Sequence, residues 1–149
     1  MAGRHAELRV VTNTLGSESA AALLVVGEAG VGKSRLVGVA ADAVRPEVTV
    51  LPGWCLQLSE GRPFLRIVDV LRGMSEVDGG QLLKAALADC PGFVRTDLAR
   101  LLPELEDTPP VTAGTDDEWR RHRLLDAVRQ VVRAAGALRR VAIVIEDVH

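Results

Sequence analysis

Eight residues limit this chain more than any others. Gly27-Glu28-Ala29-Gly30-Val31-Gly32-Lys33-Ser34 satisfies the spacing G-x-x-x-x-G-K-[ST]. The apolar, branched run Ala22–Val26 precedes it, and a helically spaced stretch from Lys33 to Val44 follows. With 14 glycines and only two lysines in 149 residues, chance yields such a match on the order of once in a thousand chains of this make-up. The strand-loop-helix setting narrows it further. Glycines let successive backbone N–H groups turn inward at φ values other residues resist, so the loop becomes a concave anion nest at the positive end of a helix. Lys33 is then placed to reach the β and γ phosphates of a nucleotide, and Ser34 to offer its hydroxyl to Mg²⁺. Glu28, Ala29 and Val31 fill the spacing.

Around this loop the chain reads as α/β. The spacing of Leu8, Val11 and Leu15 predicts an amphipathic helix over Ala6–Leu15, broken by Gly16, Ser17 and Ser19. Ala22–Val26 reads as a strand buried on both faces of a parallel sheet. The helix Lys33–Val44 stops before Pro46, and Val48–Leu51 completes a β-α-β unit whose crossover is expected to be right-handed. Helical spacing recurs in Phe64–Met74, Gln81–Ala88 and Val94–Leu102, the last ended by Pro103. Thr108–Thr115 has linker composition, and a long helix is expected over Asp116–Leu138, with Leu124, Leu125, Val128, Val131 and Val132 on one face. Arg120, Arg121, Arg123, Arg129 and Arg133 read mainly as its solvated side. Val141–Ile145 is a third buried strand, running straight into Glu146-Asp147-Val148-His149.

A phosphate loop needs an acid at the end of a neighbouring strand to hold the Mg²⁺ shell and, for hydrolysis, a second to orient water. Glu146 and Asp147 stand in that position. By order along the chain Glu146 is the metal-side acid and Asp147 the catalytic, water-orienting one, and a shift of one residue in register exchanges the two roles. The candidate site is therefore Gly27, Glu28, Ala29, Gly30, Val31, Gly32, Lys33 and Ser34 for the nucleotide, Ser34, Glu146 and Asp147 for the metal, and Lys33 with Asp147 for catalysis.

Composition excludes several other classes. A length of 149 residues is one domain's worth, and 48% hydrophobic with 26% charged residues describes a folded domain rather than a disordered chain. The net charge of −2 gives no broad positive field, so direct nucleic-acid contact by this chain is not expected. Tyrosine is absent and aromatic content is 3%, too little for stacking platforms, so Trp54 and Trp119 read as packing residues. Cys55 and Cys90 lack C-x-x-C spacing and His5, His122 and His149 lack ligand spacing, so zinc is not expected and the thiols read as reduced. No nucleophilic Ser-His-Asp or Cys-His arrangement can be assembled from these spacings. The N-terminus lacks a signal-peptide core and the apolar runs are strand-sized, which predicts a cytoplasmic protein without a membrane span.

Four stretches together resemble a known family. They are Gly3-Arg4 with Glu7-Leu8, the loop Gly27–Ser34, the segment Gly53-Trp54-Cys55, and the ending Ile145-Glu146-Asp147-Val148-His149. In this order they are similar to the P-loop ATPase domain of the AAA+ and STAND class, in particular the one at the front of large ATP-binding regulators of the LuxR type. The resemblance implies a three-layer α/β sandwich with a mostly parallel sheet, which binds ATP as a conformational switch and hydrolyses it slowly. It implies phosphate contacts at Gly30, Gly32 and Lys33, metal contact at Ser34, acids at Glu146 and Asp147, and Gly3 and Arg4 near the adenine. ATP is favoured over GTP because no N-K-x-D base-reading motif is present. In the family the acidic segment continues into a sensor strand, a helical lid, superhelical repeats and a DNA-binding helix-turn-helix, so residues 1–149 are expected to be the N-terminal portion of the domain. Its partners are then ATP, other domains of a longer regulator, or a second copy. Two other functions compete with this one: a small P-loop kinase with a lid from Arg120, Arg121 and Arg123, and a non-enzymatic association module.

Overall fold

The computed structural model describes residues 4–53, 65–105 and 117–146. Six α-helices and two strands are found among them: α1 (His5–Leu15), α2 (Lys33–Val44), β1 (Thr49–Gly53), α3 (Leu65–Glu76), α4 (Gln81–Ala88), α5 (Gly92–Leu98), α6 (Asp117–Leu138) and β2 (Val141–Ile145). Short 3₁₀ turns cover Val77–Gly80 and Pro103–Leu105. Helices α2 and α4 coincide with their sequence readings, because each has an apolar period with a clear stop at both ends, whereas β2 has the expected bounds but not the expected burial: Ala142 is buried, while Ile143 and Ile145 are exposed.

β1 and β2 pair in parallel, with Thr49 opposite Val141 and Gly53 opposite Ile145. A parallel pair needs a long crossover, which helices α3 to α6 supply. Side chains on alternate residues of this pair meet different helices. Leu51 and Val141 join the main core with Leu71 and Met74 of α3, Leu98 of α5 and Val131 of α6. Val50 and Ala142 pack instead with Val44 at the end of α2 and Leu15 at the end of α1. A further cluster of Val11, Leu36 and Ala40 holds α1 against α2. Leu51, Leu71, Met74, Leu98 and Val131 are essentially inaccessible to solvent, each stabilising the fold by about 1.5–3 kcal/mol through burial.

Polar contacts tie these layers together at the start of β2. Arg140 donates to the Gly16 carbonyl (3.4 Å), where α1 ends, and to the Glu47 carboxylate (2.9 Å), just after α2. Arg139 donates to Asp78 (2.5 Å) in the turn between α3 and α4, and to the Thr49 hydroxyl (3.4 Å) at the start of β1.

Other expectations need correction, among them Leu125, placed on the apolar face of α6 but 43% exposed. Ala22–Val26 is not a strand: residues 20–28 carry no strand pairing, and Leu24 and Val26 are 73% and 80% exposed. Only Val25 of this run packs inward, beside Val11 and Leu36. Its composition suits a doubly covered strand, but a strand exists only where a neighbour accepts its N–H groups, and no described residues provide one. The β-α-β unit expected through Lys33–Val44 is accordingly absent, and the sheet is the β1–β2 pair. The helix expected over Val94–Leu102 ends at Leu98, where a turn carries the chain into Pro103. Trp54, Cys55, Phe64 and the Thr108–Thr115 linker lie outside the described residues.

Candidate functional site

Lys33 is the centre of the loop. Its Nζ donates to the carbonyl oxygens of Gly27 (2.9 Å) and Glu28 (3.0 Å), so the side chain folds back from the first residue of α2 across the start of the loop. The backbone makes this possible at two glycines. Gly30 has φ +76° and Gly32, the N-cap of α2, has φ +90°, and a Cβ at either would meet strain rather than neighbours, since nothing lies within 4 Å. Gly27 differs: a Cβ there would come within 3.2 Å of Val31 Cγ1, so the absence of a side chain lets the loop close on itself. A turn bond from Val31 N–H to the Glu28 carbonyl (3.4 Å) completes the ring.

The helix start is electrostatically open. Leu36 N–H bonds the Gly32 carbonyl (3.0 Å), while the amides of Lys33, Ser34 and Arg35 have no carbonyl behind them within the helix, and no side chain caps them. The first turn holds no acid, so partial charges of the amides and the cations Lys33 and Arg35 all carry one sign. Glu28, Ala29, Gly30, Val31 and Ser34 are exposed, with Gly32 and Lys33 half-buried. Such a solvent-open, positive loop is suited to a polyphosphate.

The acids are less fully placed. Glu146 follows β2 directly and is half-buried, and no hydrogen bond or ion pair among the described residues joins it to the loop. Asp147 and Gly3 lie outside the described residues, and Arg4 is the N-cap of α1. Among the described residues no group of three or more His, Cys, Asp or Glu could hold a metal by itself. This donor set fits Mg²⁺, which is commonly held by one or two protein oxygens together with substrate phosphates and water. His5 and His122 are exposed, and His122 Nδ1 is engaged by the Glu118 carbonyl (3.0 Å).

The arginines of α6 divide. Arg121, Arg129 and Arg133 are exposed as expected, but Arg123 is drawn in, donating from Nε to the buried Asp97 carboxylate of α5 (2.7 Å). Its guanidinium lies 5.1 Å from the Phe93 ring centroid and 4.8 Å from that of Trp119. Trp119 therefore packs on a cation while remaining 47% exposed.

A family model for the AAA ATPase domain matches residues 1–149. The chain belongs to the AAA ATPase domain family. No curated protein and no solved structure matches it. As an AAA ATPase domain it is a nucleotide-binding protein of the P-loop kind, and domains of this family generally bind ATP with Mg²⁺. Among the described residues no helix of this AAA ATPase domain is long and apolar enough to cross a membrane.

Proposed function

We propose that the chain binds Mg-ATP at Gly27–Ser34 and acts as a nucleotide-dependent switch of a LuxR-type transcriptional regulator in the cytoplasm. The observation that carries the binding reading is the fold-back of Lys33 over the loop, with Gly30 and Gly32 both at positive φ. Gly27 to Gly32 cradle the phosphates, Lys33 exchanges its carbonyl partners for β and γ phosphate oxygens, and Ser34 contributes its hydroxyl to the metal. Glu146 and Asp147 are the metal-side and water-orienting acids. Bound Mg²⁺ supplies charge neutralisation at the β and γ phosphates. We read β1 and β2, with α1 and α2 on one side and α3 to α6 on the other, as part of a three-layer sandwich of this kind.

Turnover by this chain alone is weak, because an arginine finger or sensor acting on the γ-phosphate is worth about 10³–10⁵ in rate in related enzymes, and Arg123 is already committed to Asp97. That same commitment removes one cation from a kinase lid made of Arg120, Arg121 and Arg123.

The test is thermal unfolding with and without Mg-ATP, beside Lys33→Ala. A cooperative transition raised by nucleotide in the parent chain and not in Lys33→Ala is expected. A cooperative transition indifferent to nucleotide in both would sink the proposal. A second reading, association through the exposed Leu23, Leu24 and Val26, predicts concentration-dependent oligomers that ignore nucleotide.

A further inference from the structure

The two edges of the sheet formed by β1 and β2 are not alike. The Thr49 N–H donates to the Arg140 carbonyl (2.9 Å), and successive residues of a strand turn their backbone polar groups to opposite sides. On β2, therefore, Arg140, Ala142 and Val144 address β1, while Val141, Ile143 and Ile145 offer N–H and C=O to the far side. No strand lies on that side among the described residues. On β1 it is Val50 and Pro52 that face away, and proline, which has no N–H, blunts that edge against further pairing. β2 has no such guard: Val141–Ile145 holds neither proline nor charge.

Side chains mark the same edge. Val141 packs on the main core, and Ile143 and Ile145 follow it on that face of the strand, yet they are 36% and 45% exposed. Opposite charges bracket the strand, Arg140 before it and Glu146 after it, both on the face of Ala142. Turned about a two-fold axis at Ile143, β2 matches itself. Ile143 then meets the partner's Ile143, Val141 the partner's Ile145, and Arg140 the partner's Glu146. The apolar pairs join residues whose N–H and C=O face outward, the positions at which antiparallel strands exchange hydrogen bonds, and the charged pair adds a favourable cross-strand contact. Centring on Ala142 or Val144 instead leaves Glu146 opposite Leu138 or Ala142, so the charges select one register. Arg140 already holds Glu47 and the Gly16 carbonyl, and its side chain remains 39% exposed to meet a second acid.

We propose that the free edge of β2 is a self-association site, where the strand pairs antiparallel with β2 of a second copy about a two-fold axis through Ile143. The product is a four-stranded sheet with β2 of each copy at its centre and β1 of each, carrying Pro52, at its rims. The contact is isologous, so it closes at two copies and does not propagate. It uses neither the phosphate loop nor the exposed Leu24 and Val26.

Sedimentation of the parent chain without nucleotide, from about 1 to 100 µM, tests this, and a dimer that dissociates on dilution is expected. Ile143→Lys and Ile143→Glu each set like charges across the axis and should weaken the dimer about tenfold or more, with circular dichroism reporting a parent-like fold. Mixed in equal amounts the two should associate again, because lysine then faces glutamate. Arg140→Glu and Glu146→Arg repeat the logic away from the apolar centre, should either Ile143 variant fail to fold: each alone repels its own kind, and the mixture restores both charge pairs. A monomer at every concentration overturns the proposal and leaves the edge to a strand from outside residues 1–149. A dimer indifferent to these variants, one that mixing does not restore, or one abolished instead by Leu24→Lys with Val26→Lys overturns it as well. No nucleotide enters the measurement, so its failure leaves the Mg-ATP reading untouched.

Discussion

Arg123 and Asp97 form an unequal pair: the carboxylate side chain is 7% exposed, while the arginine side chain that meets it at 2.7 Å is 36% exposed. The Trp119 ring, from α6 itself, and the Phe93 ring, from α5, flank the guanidinium, and Phe93 with Asp97 pins α6 to α5. The inequality predicts which partner is costlier to lose. Arg123→Ala strands a buried carboxylate, whereas Asp97→Ala leaves a cation that water can still reach. Arg123→Ala should cost about 2–3 kcal/mol and Asp97→Ala about 1 kcal/mol, both below the range for fully buried pairs because the arginine is partly solvated. Urea unfolding measures both, and the opposite ranking would refute this account.

Two glycines, one capping α2 and one inside it, should respond in opposite senses. Gly32→Ala forces a side chain into φ +90° and is expected to destabilise by about 1–2 kcal/mol and to blunt the nucleotide-dependent shift. Gly38 lies in the exposed interior of the helix, with open space for at least 4 Å around the position a methyl group would take. Gly38→Ala should stabilise by about 0.5–1 kcal/mol with nucleotide binding unchanged. Paired thermal melts decide between them.

Cys90 has its thiol pushed above the ordinary value, first by burial and then by the neighbouring Asp89 carboxylate. The folded state thus holds this proton more firmly than the unfolded chain does. Its contribution to stability is full below the ordinary thiol range and is lost as pH rises through the higher folded value. In a Cys55→Ser background, melting temperature should fall on going above about pH 8.5, and Cys90→Ala should flatten that decline. Alkylation at neutral pH should be slow and should quicken in Asp89→Asn.

Leu24 and Val26 project into solvent. Replacing both with lysine removes apolar surface without disturbing any packed contact, so unfolding should move by no more than about 0.5 kcal/mol while solubility rises. A loss of several kcal/mol would show that these side chains are covered in the folded protein.

Legibility follows the range of the interactions involved. In the loop, the motif residues and the backbone angles they adopt occupy the same eight positions, so the left-handed turns at Gly30 and Gly32 can be read directly. Helix α4 is equally plain, since Leu82, Leu83, Ala86 and Leu87 repeat at a helical period and are all buried. Ala22–Val26 misleads for a physical reason: apolar content is local, but pairing is a property of two segments. The pairing of Thr49 with Val141 is of that second kind, as is the Arg123–Asp97 contact across 26 positions. On α6 the arginines look alike in sequence, and only the approach of Phe93 and Asp97 on α5 singles out one of them.

The fold-back of Lys33 has a consequence for selectivity. On the proposed reading of the loop, an incoming anion would not meet a bare, hydrated ammonium; it would compete with two amide oxygens that already accept from the ammonium at 2.9 and 3.0 Å. Entry is thus a substitution, governed by how much better a phosphate oxygen accepts than a carbonyl does. Densely charged oxyanions win that competition, and halides or monovalent carboxylates gain little from it. On that reading the loop would carry its own threshold against the common salts of its surroundings, set before any shape of nucleoside is consulted.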